Sequence, residues 1–233
     1  PFWSDGAQKE RYIAIPDGET IEAGGEDGWE LPVGSVVVKS FKIDGALVET
    51  RLMVRHQDGN WAGYSYEWND GETEATLLKG GKVKDVGDQK WVFPSRSDCL
   101  TCHTEAAGET LGLKTAQLNG PLTYERTGRR ANQLTTLDAV GMFDESMFQG
   151  EPAPGDQPRM PSPHGSAPLA ERAKAYLHTN CSQCHRQGSA LRSQFDVQWE
   201  TPAGERGLCG VEPVTGRLGI EGAKLVAPRA PGQ

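Results

Sequence analysis

The chain has 233 residues, enough for one large domain or two ordinary ones, each burying its own core. With 36% hydrophobic and 24% charged residues and no apolar run near the roughly 18 residues a membrane helix requires, the sequence holds no membrane span. Its formal charge of −8 argues against nucleic acid and for partners with basic surfaces, and 29 glycines with 15 prolines predict many turns and long loops.

Pro1 opens on folded-looking sequence without a signal peptide, which predicts a mature or trimmed chain. Residues 1–94 read as a β-rich module. A β-branched run over 33–43 meets the turn pair Asp44 and Gly45, and residues 46–56 return as a second strand. In that strand Val48, Thr50, Leu52 and Val54 share one face and Glu49, Arg51 and Arg55 the other, so the aliphatic face is expected to be the half-buried one. His56 continues its parity. Asp58 and Gly59 then lead into an aromatic strand over 61–68, with Tyr64, Tyr66 and Trp68 on one face. The three strands make an antiparallel meander, and segments 29–32 and 91–94 would add edges to give a small sandwich.

From Pro94 the texture turns polar and helix-starting. Ser95, Ser97 or Asp98 is placed to cap a short helix carrying Cys99 and Cys102, with His103 directly after them. Residues 133–143 place Leu134 and Leu137 at helical spacing. Six prolines and three glycines over 149–168 rule out a helix or inner strand and read as a tether. Residues 169–185 are the strongest helix, delivering Cys181, Cys184 and His185. His178, seven residues before His185, lies about 10 Å from it along a helix axis, too far to share one iron. A short strand over 195–199 and a turn at 214–216 come next.

The chain is organised around one word that occurs twice, CxxCH at 99–103 and at 181–185. Two cysteines so spaced can form thioethers to the vinyl groups of one haem while the adjoining histidine reaches the iron. Two CxxC pairs could instead supply four thiolates to a structural zinc or form redox disulfides. Two features favour haem. Only five histidines occur in the chain, yet one follows each pair, and the pairs lie about 80 residues apart against the roughly 15 to 20 of a zinc ribbon. The reading is two covalently attached c-type haems with His103 and His185 as proximal ligands. The distal candidates are His56, Met142 in the segment after the first motif, and Met160 before a proline; each has an ordinary packing role as its alternative. Covalent haem attachment implies an exported protein, periplasmic or extracellular. Cys209 is left over, either as a small buried apolar residue or as a thiol for an intermolecular disulfide, through which self-association is possible.

Several stretches together carry a resemblance: the opening 1–7, residues 49–52, the aromatic strand 61–69, the run Ser95 to His103 with Gln117 to Asn119, and Tyr176 to His185. They resemble the bacterial dihaem c-type cytochrome modules found beside or fused to glucose/sorbosone dehydrogenase-like quinoproteins. The resemblance implies that Cys99, Cys102, His103, Cys181, Cys184 and His185 are attachment and proximal residues. It also implies a Met-Pro-rich tail, after a segment like 216–220, that supplies a ligand to the second haem; this sequence ends at Gln233 without one.

The expected architecture is α+β. An antiparallel β-sandwich-like module at 1–94 precedes a mainly helical dihaem module at 95–233, with haem one at about 95–148, the tether at 149–168 and haem two at about 169–233. The expected function is electron transfer between redox proteins, a dehydrogenase or another cytochrome among them. The alternatives are a dihaem peroxidase with one open iron and a docking or array-forming cytochrome module, and the chain is equally readable as part of a larger fusion.

Overall fold

The computed structural model describes residues 2–24, 28–144, 153–191, 195–217 and 219–227. The chain divides into two compact units, Phe2–Met160 and Pro161–Gln233. The division lies within the Pro-rich stretch and puts the first CxxCH in the same unit as the β structure.

The first unit is built on a five-stranded antiparallel sheet in the order β1 (Gln8–Ala14), β2 (Val36–Ile43), β3 (Ala46–Arg55), β4 (Trp61–Trp68) and β5 (Ala75–Leu77). Asp44 (φ 51°) and Gly45 (φ 89°) both take positive φ at the β2–β3 turn, as a two-residue hairpin matched to the strand twist requires. A separate hairpin, β6 (Lys82–Val86) with β7 (Gln89–Phe93), uses the residues expected as a sheet edge. It packs Trp91 and Phe93 with Phe41 and Val48 in one core cluster, the Trp91 and Phe41 rings 5.4 Å apart. The β-rich part is therefore one sheet with a covering hairpin, not two full sheets.

Val48 is buried as expected, but over Glu49–Arg55 the buried face of β3 reverses the expectation. Met53 lies in the main core with Trp61, Trp29, Leu31 and Leu134, and Glu49 is 0% exposed, whereas Leu52 and Val54 are only half-buried. A charged residue reaches the inside here because its charge is matched. Arg51 gives Glu49 two hydrogen bonds of 2.8 Å, and the Trp91 indole donates a third at 3.0 Å.

The mainly helical module expected after residue 94 does not form. Among the described residues, the chain beyond that point has four short α-helices, α1 (Arg96–Cys102), α2 (Thr115–Leu118), α3 (Gln133–Ala139) and α4 (Leu169–Cys181), set among a hairpin of β8 (Pro121–Tyr124) with β9 (Arg129–Asn132), single 3-10 turns and irregular chain. Helices of 4 to 7 residues cannot persist on propensity alone. They stand on caps and packing: Ser95 and Asp98 form a reciprocal capping box on α1, and the Asn132 side chain caps α3, which ends before Gly141 (φ 72°). Asn119, 2% exposed, ties this region together by donating to the Gln157 carbonyl and accepting from Asn132 Nδ2 at 2.7 Å. Residues 157–160 of the Pro-rich stretch are thus docked.

In the second unit α4 is pinned at its start by Arg172, whose guanidinium donates to the carbonyls of Ala167 (3.0 Å) and Pro163 (2.9 Å). Residues 195–199 form no strand. They wrap α4 instead, with the Trp199 N–H donating to His178 Nδ1 at 2.8 Å and Lys174 lying 4.4 Å from the Trp199 ring. Arg206 closes the wrap through the carbonyls of Thr201 and Gln198, 3.0 Å each. Cys209 is exposed rather than buried.

Candidate haem-attachment sites

The first motif sits where α1 crosses the sheet. On the core face of β4 the residues alternate Trp61, Gly63, Ser65, and Cys99 is set directly over the glycine. A Cβ at Gly63 would lie 2.6 Å from Cys99 Cβ and 2.7 Å from its Sγ, with Met53 Sδ at 3.3 Å, so only glycine admits α1 at this depth. Burial pushes the Cys99 thiol pKa up.

His103 follows α1 as its C-cap, its N–H bonded to the Cys99 carbonyl at 3.0 Å. Its Nδ1 is hydrogen-bonded to the backbone carbonyl of Glu109; a carbonyl only accepts, so Nδ1 carries the proton and Nε2 has the lone pair. Burial pushes its pKa down to about 4, which keeps the ring neutral at pH 7. That carbonyl is aimed by an unusual turn. Gly108 (φ 73°), Glu109 (φ 51°), Leu111 (φ 41°) and Gly112 (φ 88°) all lie in the left-handed region, two of them without glycine's freedom.

The second motif is held by a helix end and a loop. Cys181 closes α4, and the N–H groups of Cys184 (3.1 Å) and His185 (2.9 Å) both return to its carbonyl. Burial raises the Cys181 pKa and the nearby Cys184 adds to the rise. The His185 ring stacks on Phe195, centroids 4.1 Å apart and planes 16° from parallel, while the Val197 N–H donates to the His185 carbonyl at 3.0 Å. Burial lowers the His185 pKa. His178, 3% exposed, accepts the Trp199 N–H on Nδ1, so its proton sits on Nε2 and the ring serves the loop.

Both motifs meet what a covalently held haem asks of a chain. Each offers two unbridged thiols and a neutral or readily neutral imidazole; at His103 the second ring nitrogen is tied to a carbonyl, the usual arrangement for a metal-bound histidine. Near the second motif the Ser189 hydroxyl is buried without a hydrogen-bond partner among the described residues. Among those residues no three His, Cys, Asp or Glu side chains converge as they would around a structural zinc.

The distal candidates are placed differently from one another. His56 is exposed, and its Nε2 is engaged by the Tyr64 hydroxyl at 2.8 Å, on the face of β4 opposite Gly63 and Cys99. Met142 is half-buried against the same core cluster as Cys99. Met160 is half-buried and its N–H bonds the Ala116 carbonyl at 2.8 Å, within the unit of the first motif. The tail 228–233 and Met147 lie outside the described residues.

Sequence reasoning missed Gly63, the Glu109 carbonyl and Phe195. The first had a visible signal: a glycine between large aromatics in a strand marks a close approach. The other two depend on loop conformation, which leaves no periodicity to read. No helix among the described residues is long and apolar enough to cross a membrane. The chain matches no family model, no curated protein and no solved structure.

Proposed function

We propose that this chain is an exported c-type cytochrome that holds two haems, one through Cys99, Cys102 and His103 and one through Cys181, Cys184 and His185, and passes electrons between redox proteins. The observation that carries the reading is the state of His103: half-buried, neutral, with Nδ1 tied to the Glu109 carbonyl and the Nε2 lone pair left available, directly after two thiols at thioether spacing. Bound haem would supply the one-electron chemistry. The protein's own part is to fix the imidazoles, to surround the first motif with the Trp29, Leu113 and Leu134 core, and to present a sixth side chain. Of the candidates for the first haem, Met142 is favoured by its place in the Cys99 cluster. A periplasmic dehydrogenase is the donor class that the sequence resemblance suggests, and the acidic surface suits a basic acceptor.

The test is expression with periplasmic haem attachment, followed by mass and haem content. Two haems per chain, each resistant to acid-acetone extraction, is the expected result, and none overturns the reading. A carbon monoxide difference spectrum of the dithionite-reduced protein then separates the two functions. No change means both irons hold protein ligands and fits electron transfer; a shift at one haem means an open site and moves the chain to peroxidase chemistry.

A further inference from the structure

The core face of the sheet carries two apolar regions with a charged row between them. Ile13, Val37, Met53 and Gly63 are cross-strand neighbours in one row, beneath the main core and Cys99. One step along the same face the neighbours are Arg11, Lys39, Arg51 and Ser65, and one step further Lys9, Phe41, Glu49 and Glu67. Three cations thus stand side by side on adjacent strands about 4.8 Å apart. Like charges directly opposite one another destabilise a sheet.

The row has one resident counter-charge. Glu49 takes two hydrogen bonds from Arg51 and a third from Trp91, and it reaches Lys39 only through space. Among the described residues Arg11 and Lys39 make no ion pair; the Lys39 ammonium lies against the rings of Phe2 (5.5 Å) and Phe41 (6.0 Å). Burial and the neighbouring cations Arg11, Arg51 and Lys9 push the Lys39 pKa down to about 8. In a chain with eight more acids than bases, an uncompensated cationic row is a cost that a bound anion would offset.

The row also faces the first motif. Arg51 acts electrostatically on Cys99, and Lys39 and Arg51 both act on His103. By strand spacing and rise, Lys39 lies roughly 12 Å from Gly63, the seat of Cys99, on the same face. A haem attached through Cys99 would have these cations on the same face of the sheet, as pairing groups for its propionates. We infer that the Arg11–Lys39–Arg51 row is the seat of the haem propionates at the first site, with Arg11 and Lys39 as the pairing cations and Glu49 holding Arg51 in place. This inference rests on the dihaem reading.

The test uses the haem-loaded full chain with Lys39→Gln, Arg11→Gln and, as control, Lys42→Gln, whose ammonium is ion-paired to Glu10 on the other face. The readouts are the two haem potentials and the propionate bending bands in resonance Raman spectra. Loss of a pairing cation disfavours the reduced, more negative haem. One of the two potentials should therefore fall by about tenfold in its reduction equilibrium, or about 59 mV, with the propionate band of that haem shifted. Lys42→Gln should move neither. If Lys39→Gln fails to accumulate, Arg11→Gln at the exposed rim carries the test alone. Two attached haems with unmoved Raman bands, whatever the potentials do, overturn the seat and leave the dihaem reading intact. A chain that attaches no haem overturns both.

Discussion

The two CxxCH words are the same in spacing and differ in what holds them. At 99–103 the support is distant in sequence: a glycine on β4, a methionine on β3 and a core that gathers residues from Ile21 to Phe143. At 181–185 it is near, a 13-residue helix before the motif and a loop after it that brings Phe195 and Val197 to the histidine within a dozen residues. A site built from long-range contacts is stable only as far as its sheet is, while one built from local contacts depends on a few hydrogen bonds. The two should fail independently.

The largest separation is expected from Glu49→Gln. It leaves the Arg51 guanidinium half-buried beside an amide, and breaking such a pair costs about 3 kcal/mol. Chemical denaturation should show the unfolding of residues 2–160 moved to lower denaturant; a midpoint unchanged from wild type would show that the pair adds nothing. Gly63→Ala places a methyl where Cys99 stands and should cost about 1–3 kcal/mol by overpacking. It should also lower haem attachment at the first motif only, read by peptide mass mapping; equal loss at both motifs would contradict the proposed independence. His178→Phe is the counterpart. It removes the acceptor of the Trp199 N–H at about 1–2 kcal/mol, and hydrogen exchange at residues 195–199 should quicken while residues 36–68 stay protected.

pH distinguishes the sites as well. The His103 pKa lies below that of an unfolded histidine, so the unfolded chain binds a proton first as pH falls, and the stability held by the half-buried neutral ring is lost from about 6.5 down to about 4. In chain prepared without haem, thermal melts across that window should show the first unit weakening; a flat profile would place His103 in water. The smallest effect belongs to His56→Ala. An exposed side chain bonded only to Tyr64 should change stability by less than about 0.5 kcal/mol and leave the visible spectrum of loaded protein as it was. A spectral change would return His56 to the candidate iron ligands.

The sequence made some of this plain and hid the rest for physical reasons. The Asp44–Gly45 turn and the meander it begins are legible because two residues that tolerate positive φ stand between alternating runs. A cap before Cys99 is legible for the same kind of reason, a local rule with a local pattern, though the choice among Ser95, Ser97 and Asp98 was left to the structure, which uses Ser95 with Asp98. The buried face of β3 was not. Alternation assigns the inside to Leu52 and Val54, but the elements that settled on the sheet chose the other face, where Glu49 meets Arg51 and Trp91, an arrangement set by a residue 42 positions away. The expectation of a helical C-terminal module failed because isolated leucines at helical spacing say nothing about how many turns will close. The helices stop after Ala139 and after Cys181, and the loops beyond them are held by scattered non-repeating hydrogen bonds such as that from Trp199 to His178. The two CxxCH words themselves were fully visible, and their seating was not.

The left-handed run from Gly108 to Gly112 bears on the order of events during maturation. Glu109 and Leu111 rarely visit that region in an unfolded chain, so the carbonyl that fixes the His103 ring reaches its place only when the turn closes. Before then nothing holds the imidazole in one orientation. Afterwards the ring has a single orientation. The orientation of the His103 ring is therefore acquired by folding, and the five-letter word only names the residues that will take part in it.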